Sequence, residues 1–193
     1  SPEGVIRQRW STPDRVPHKD MWLWDSVFHS LAMNRSMPPV AWEDLKSVLD
    51  TQAPDGYLPH QSSVRGVKSQ VTQPPLLAWG VWENYRALGD KSCLAYALPK
   101  LEAYLDWNAR NRDLNGNGLL EWKMLNHPRC PCGESGLDNS SRFDRGVPLD
   151  CVDFSTIQAH DMEHVARIAS ELGDSARAQT WSERAADLAA RVH

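Results

Sequence analysis

Apolar residues recur at helical spacing in six separate stretches of this chain, and no stretch alternates convincingly enough to pair as strands. Trp24, Phe28, Leu31 and Ala32 mark a helix over residues 22–33; Leu45, Val48 and Leu49 mark the buried side of a short one over 42–49. Leu77, Val81, Tyr85 and Leu88 mark a third, stopped by Gly89 as a C-terminal cap. Leu94, Leu98, Leu101 and Leu105 begin a fourth that continues to about residue 111. Ile157, Asp161, Val165, Ile168 and Leu172 give a fifth, ended by Gly173, and Trp181, Ala185, Leu188 and Val192 give the last. Such a chain is all-α and buries its apolar faces by packing helix on helix.

Two junctions read alike, Leu88-Gly89-Asp90 and Leu172-Gly173-Asp174, each followed by an alanine-bearing helix. They imply repeated helical hairpins. Hairpins stack either into an open solenoid or around a ring. The connections between hairpins are long: Pro54, Gly56, Gly66, Pro74 and Pro75 keep the segment to residue 75 non-helical, and residues 126–150 form a polar loop rich in Pro and Gly. Long loops on one kind of junction build a pocket at one end of a ring, so the ring is the reading taken.

The chain has 193 residues and a formal charge of -4, with Lys and Arg outnumbered and unclustered, which argues against nucleic acid or an anionic membrane as partner. No apolar run approaches the roughly 20 residues that span a bilayer. The first residues, carrying Pro2, Pro13 and Pro17, read as an irregular lead-in without the layout of a secretory signal. Cys130-Pro131-Cys132 is not a zinc-ribbon spacing, and a metal set with His127 and Cys151 competes with the blander reading of scattered thiols. Reduced thiols point to the cytoplasm. Nine tryptophans against three phenylalanines is the unusual balance. Indole suits core packing and also the C–H faces of pyranose rings, and those near polar loops favour the second use.

Residues 133–144 place two acids, amides, hydroxyls and Arg142 between glycines, with no periodicity of their own. That composition makes poor core and suits a loop whose polar groups converge on a ligand. Asp138 is the acid singled out. Two readings of Arg142 stand: an ion pair with Asp144 that holds the loop, or a group facing substrate.

Trp22-Leu23-Trp24-Asp25-Ser26-Val27-Phe28, then Asp55-Gly56-Tyr57-Leu58-Pro59-His60, then Gln73-Pro74-Pro75, then Glu134-Ser135-Gly136-Leu137-Asp138-Asn139-Ser140-Ser141-Arg142 follow one another in this order. As an ordered set they resemble the start of an (α/α)6-barrel glycosidase, and glycoside hydrolase family 63 most closely; the trehalases of family 37 share the last motif. The resemblance implies part of an (α/α)6 toroid and inverting hydrolysis of an α-glycosidic bond in a small glucoside or mannoside or an oligosaccharide. The aspartate of the Ser-Gly-x-Asp motif, here Asp138, is then the general acid. Burial or the nearby Glu134 would keep it protonated, and Gly133 and Gly136 would let backbone approach the sugar. The likeness further implies substrate binding by Trp22, Trp24, Asp25, His60, Gln70, Gln73, Glu134 and Arg142, with Trp122 walling the cleft.

Asp113, Asn115 and Asn117 with Gly118 follow the opening of an oxygen-rich cation loop, with Glu121 as a further oxygen ligand. Met124 stands where such a loop needs a glutamate, and the same residues make a good turn unaided. No cofactor is required; a structural calcium is the site's optional occupant. A closed ring needs twice the helices read here, so residues 1–193 are expected to be the N-terminal half of a catalytic domain, inactive alone. The catalytic base then lies beyond residue 193, in the missing C-terminal half. Two other classes compete, a helical-repeat interaction module and a carbohydrate-binding protein without catalysis.

Overall fold

The computed structural model describes residues 2–192 except Arg15, Pro17, His18 and Asn126. The lead-in residue Pro17 therefore lies outside the described residues. Six helices follow in order: α1 Leu23–Met33, α2 Pro38–Leu49, α3 Leu77–Leu88, α4 Lys91–Arg112, α5 Val152–Glu171 and α6 Ser175–Val192. The chain is all-α, as its periodicity requires. Two helices start earlier than the apolar pattern does. Pro38 and Pro39 open α2, where a missing N–H is no loss, and α5 begins at Val152. One short ladder departs from the sequence reading: Met21 and Trp22 (β1) pair antiparallel with Ser62 and Gln61 (β2). Two residues per strand are too few to alternate visibly.

The helices form three hairpins. The links at residues 34–37, 89–90 and 172–174 are short, so each pair must return on itself. Gly89 and Gly173 take positive φ, which those tight exits need. Between hairpins, α1 packs on α3 and α3 on α5, while α2 reaches α4. This makes one row of α1, α3 and α5 and a second of α2, α4 and α6. Across the second row Trp181 donates to Glu102 (2.8 Å) and Arg184 to Asp106 (2.6 Å). The arrangement is that of part of an (α/α)6 toroid.

The core is one cluster shared by all six helices, including Val27, Leu45, Val81, Leu101, Ile168 and Leu188. Gly80 sits mid-α3 because three helices converge there. A Cβ at that position would stand 3.0 Å from Val27 and 3.2 Å from Leu45. A smaller cluster of Leu120, Trp122, Cys132, Phe143, Cys151 and Phe154 supports the long loop between α4 and α5. Among the described residues no helix is long and apolar enough to cross a membrane.

The long connections, residues 50–76 and 113–151, precede α3 and α5, and the lead-in precedes α1. All three therefore enter the first row at its N-terminal ends. That end carries the cleft.

Candidate active site

The loop of residues 50–76 folds onto the start of α1. Leu23 N donates to the His60 carbonyl (2.9 Å) and Trp24 N to Gln73 Oε1 (3.1 Å), satisfying helix N–H groups that have no partner within the helix. Gln73 is held for this task from behind: the Tyr104 hydroxyl donates to its carbonyl (2.8 Å) and lies 2.6 Å from Thr72 Oγ1. Full burial pushes the Tyr104 phenol well above its ordinary pKa, so it stays a donor.

His60 lies beside Trp22, ring edge to ring face at 5.0 Å. The Ser69 hydroxyl donates to the Val71 carbonyl (2.9 Å) and stands 2.5 Å from His60 Nδ1. Ser69 has one proton, so the network assigns the second one to Nδ1, which donates to Ser69 Oγ. Burial lowers the His60 pKa, opposed by the Val71 carbonyl and the charges of Glu134 and Asp138. A neutral ring with hydrogen on Nδ1 leaves Nε2 as an acceptor.

The acid loop opens with a 3-10 turn, Gly133–Ser135, closed by Ser135 Oγ donating to the Cys132 carbonyl (2.8 Å). Gly136 then takes φ 72°, and a Cβ there would stand 2.5 Å from the Trp24 indole. The glycine therefore makes room for Trp24, and it lines the cleft described below. Gly133 likewise makes room for a neighbour inside the chain, the Cys130 sulfur, 3.0 Å from where its Cβ would be. Burial, helped by the nearby Asp138 carboxylate, raises the Cys130 thiol's pKa.

These segments enclose a cleft of about 340 Å³ lined by Trp22, Trp24, Asp25, His60, Gln73 and Asp138, with Pro13, Val71, Leu125, Cys130, Gly133 and Gly136 among its walls. Six of the residues singled out from sequence thus share one surface. It offers a flat indole, two carboxylates, an imidazole acceptor and a carboxamide, the groups that hold a polyol with C–H faces.

Four others stand elsewhere. Glu134 is fully buried and turned away from the cleft lining. It receives Arg112 through two bonds (2.8 and 2.7 Å), Thr72 N (2.9 Å) and Lys123 N (2.6 Å). Its charge is matched by Arg112, and Asp138 is exposed. Trp122 is buried under the loop, stacked on Phe154 at 3.8 Å, and its Nε1 donates to Asp153 (3.3 Å). Arg142 forms a two-pronged pair with that same Asp153 (2.9 and 3.0 Å), not with Asp144. Gln70 is exposed outside the lining, its carbonyl taking the Lys123 ammonium (3.3 Å).

The supposed cation loop closes on itself. Asp113 accepts from Gly118 N (3.1 Å), Asn115 from Asn117 N (3.0 Å), Asn117 from Leu119 N (2.8 Å) and Glu121 from Leu114 N (2.7 Å). Both carboxamide nitrogens point at Asp150 (2.9 Å each). Carboxamides would ligate calcium through oxygen, and here those oxygens accept the backbone N–H groups that close the turn, while Asp113 Oδ1 is buried without a hydrogen-bond partner among the described residues; no chemistry is routed through an ion. Among the described residues no three His, Cys, Asp or Glu side chains gather as a metal site, the set of His127 with the cysteines included.

The sequence model of the mannosylglycerate hydrolase MGH1-like glycoside hydrolase domain matches residues 17–193. The chain belongs to this family of glycoside hydrolases. It is 30% identical over 182 residues to mannosylglycerate hydrolase MGH1 of Selaginella moellendorffii, an alignment covering 81% of this chain and 35% of that protein. It therefore spans about a third of the length of that curated relative. Among solved structures, a family 63 mannosylglycerate hydrolase from Thermus thermophilus bound to Tris and D-glycerate superposes with TM-score 0.78 at 23% identity, covering 95% of this chain and 62% of that one. An α-L-rhamnosidase from Dictyoglumus thermophilum gives 0.65 at 15% identity, over 91% of this chain and 19% of that one. At these identities the two structures speak for the toroidal fold alone.

Residues outside the sequence motifs complete the site. Arg112, at the end of α4, belongs to no motif and is invisible without its partner. Asp161 was legible in part, as an acid within an apolar helical stripe. In the structure it is fully buried and accepts Ala78 N (3.0 Å) and Trp79 N (2.9 Å), the opening N–H groups of α3.

Proposed function

We propose that this chain carries the acid side of an inverting α-glycosidase site, with Asp138 protonating the leaving oxygen. The supporting observation is the shared cleft: Asp138 stands with Trp24, Asp25, His60 and Gln73 around one space of sugar size. In this reading Trp24 stacks on the pyranose. Asp25, at the N-terminal end of α1, accepts from adjacent hydroxyls, and His60 Nε2 accepts from another. The relatives' names make a mannosylglycerate-like α-mannoside the first substrate to try, ahead of small glucosides and glucose-capped oligosaccharides.

Inversion requires a second carboxylate, about 6.5–9.5 Å from the acid, to activate water on the opposite sugar face. The only other carboxylate lining this cleft among the described residues is Asp25, which the reading assigns to sugar hydroxyls. The base is accordingly proposed to come from a further part of the domain, consistent with the chain's partial span of its relatives. Residues 1–193 are then the N-terminal half of the catalytic domain, and the four free thiols suit a cytoplasmic protein.

The test is Asp138→Asn in the full-length protein. It should retain sugar affinity and lose about 10²–10⁴-fold in kcat. Anomer-resolved NMR should show the β-anomer released first. Unchanged turnover refutes the assignment of Asp138, and a first-formed α-anomer refutes inversion.

A further inference from the structure

Glu134 belongs to the same short loop as Asp138, four positions before it, yet it faces inward. Every acceptor direction of its carboxylate is spent inside the protein. Oε1 takes Arg112 Nη2 (2.7 Å) and Thr72 N (2.9 Å); Oε2 takes Arg112 Nε (2.8 Å) and Lys123 N (2.6 Å). The donors come from three separate segments: the loop before α3, the last turn of α4, and the stretch leading into the acid loop. Arg112 is itself fixed, 6% exposed, with its guanidinium 4.6 Å from the Trp107 ring and Nη1 donating to the Asn111 carbonyl (2.8 Å). Such a pair has no rotamer freedom left. Thr72 adjoins Gln73, whose side chain seats the start of α1, and Val71, whose carbonyl orders the His60 and Ser69 pair. One carboxylate therefore ties together the segments that carry the cleft's walls.

We propose that Glu134 is a positioning residue, which through Arg112, Thr72 and Lys123 fixes the acid loop against the loop bearing His60 and Gln73, and which touches no sugar. The proposal rests on the glycosidase reading for its consequence in turnover, but not for its geometry. A shift of about 1 Å in a reacting group costs on the order of 100-fold in rate, so a slack joint here appears in kcat.

The full-length protein with Glu134→Gln tests it, because the carboxamide keeps the shape while losing the charge and two of the acceptor positions. Wild type and Asp138→Asn are assayed beside it on α-mannosylglycerate and an aryl α-mannoside. The expected result is a kcat lower by about 100-fold with KM within about threefold of wild type. The Thr72 and Lys123 amides should exchange about tenfold faster. His60 reports on charge separately: with the Glu134 carboxylate gone and Asp138 retained, its imidazole should titrate at lower pH by NMR. If Glu134→Gln fails to fold, Arg112→Lys, which keeps the charge but loses the two-pronged grip, should give the same kcat, KM and exchange pattern at smaller amplitude.

A raised KM with kcat preserved would make Glu134 a sugar-binding group and overturn the proposal. Unchanged kcat with unchanged amide exchange in a folded variant would overturn it as well. If wild type hydrolyses no α-glycoside while the exchange and His60 changes appear, the glycosidase reading fails and the positioning role stands.

Discussion

Two fully buried carboxylates organise the loop end of this molecule, and they are built differently. Glu134 is met by the Arg112 guanidinium and two backbone N–H groups. Asp161 is met by two backbone N–H groups at the start of α3, where the helix dipole also favours a negative charge. The dipole and two hydrogen bonds do not offset burial: the Asp161 pKa is pushed up to about 7, desolvation outweighing both N–H donors. One kind of site pairs its acid with a full counter-charge, whereas the other offers partial charges alone and leaves an acid that titrates near neutrality. The joint beneath the acid loop is of the first kind, and the seat of α3 is of the second.

The largest test of that contrast is Glu134→Ala. Removing one member strands a buried guanidinium and two N–H groups, and should cost about 3–5 kcal/mol in urea unfolding. A loss below about 1 kcal/mol would erase the distinction between the two sites. Asp161→Asn should cost less, about 1–3 kcal/mol, and its cost should depend on pH.

The sign follows from the raised folded pKa. Between about 4 and about 7 the native state holds a proton that the unfolded chain has released, so this group's contribution falls as pH rises through that window and is flat above it. Relative to wild type, the Asn variant should therefore look worse at pH 5 than at pH 8. Equal differences at both values, from denaturation midpoints, would mean that its two N–H donors hold Asp161 ionised.

Gly136→Ala sharpens the Glu134 side. At φ 72°, with 2.5 Å to the Trp24 ring, a methyl should cost about 1–3 kcal/mol and shift tryptophan emission as the indole is displaced. The smallest effect belongs to Tyr57→Phe. The Tyr57 hydroxyl lies within bonding distance of the Ser69 and Val71 carbonyls (2.6 and 2.9 Å), and its loss should cost about 1 kcal/mol in melting experiments. A larger loss than that of Gly136→Ala would shift weight from the acid loop to the His60 loop.

The fold was legible because apolar spacing reports helices directly, and α3 begins and ends where Leu77 and Leu88 place it. Starts were less legible. Pro38 and Val152 open helices before the first apolar repeat, and propensity alone does not mark them. Within the site, Trp24, Asp25, His60, Gln73 and Asp138 came from ordered motifs, and the structure gathers them in one cleft. Glu134 and Arg142 in the motifs, and Trp122 beside them, show the limit of motif reading. A motif marks residues that matter together without saying which face inward, and these three are committed to Arg112, Asp153 and Phe154. The cation loop shows a related limit. Its side-chain oxygens serve turn closure as readily as they serve a metal, and spacing does not separate the two.

The hydrogen bonds that assemble the cleft join residues far apart in the chain. Trp24 meets Gln73 across 49 positions, Thr72 meets Glu134 across 62 and Ala78 meets Asp161 across 83. The helical hairpins, by contrast, close over links of a few residues. Loop-closure entropy makes the local pairs early and the distant ones late. The cleft is thus expected to form after the hairpins: a refolding chain should regain its helical signal first and bring Trp24 against Gly136 later.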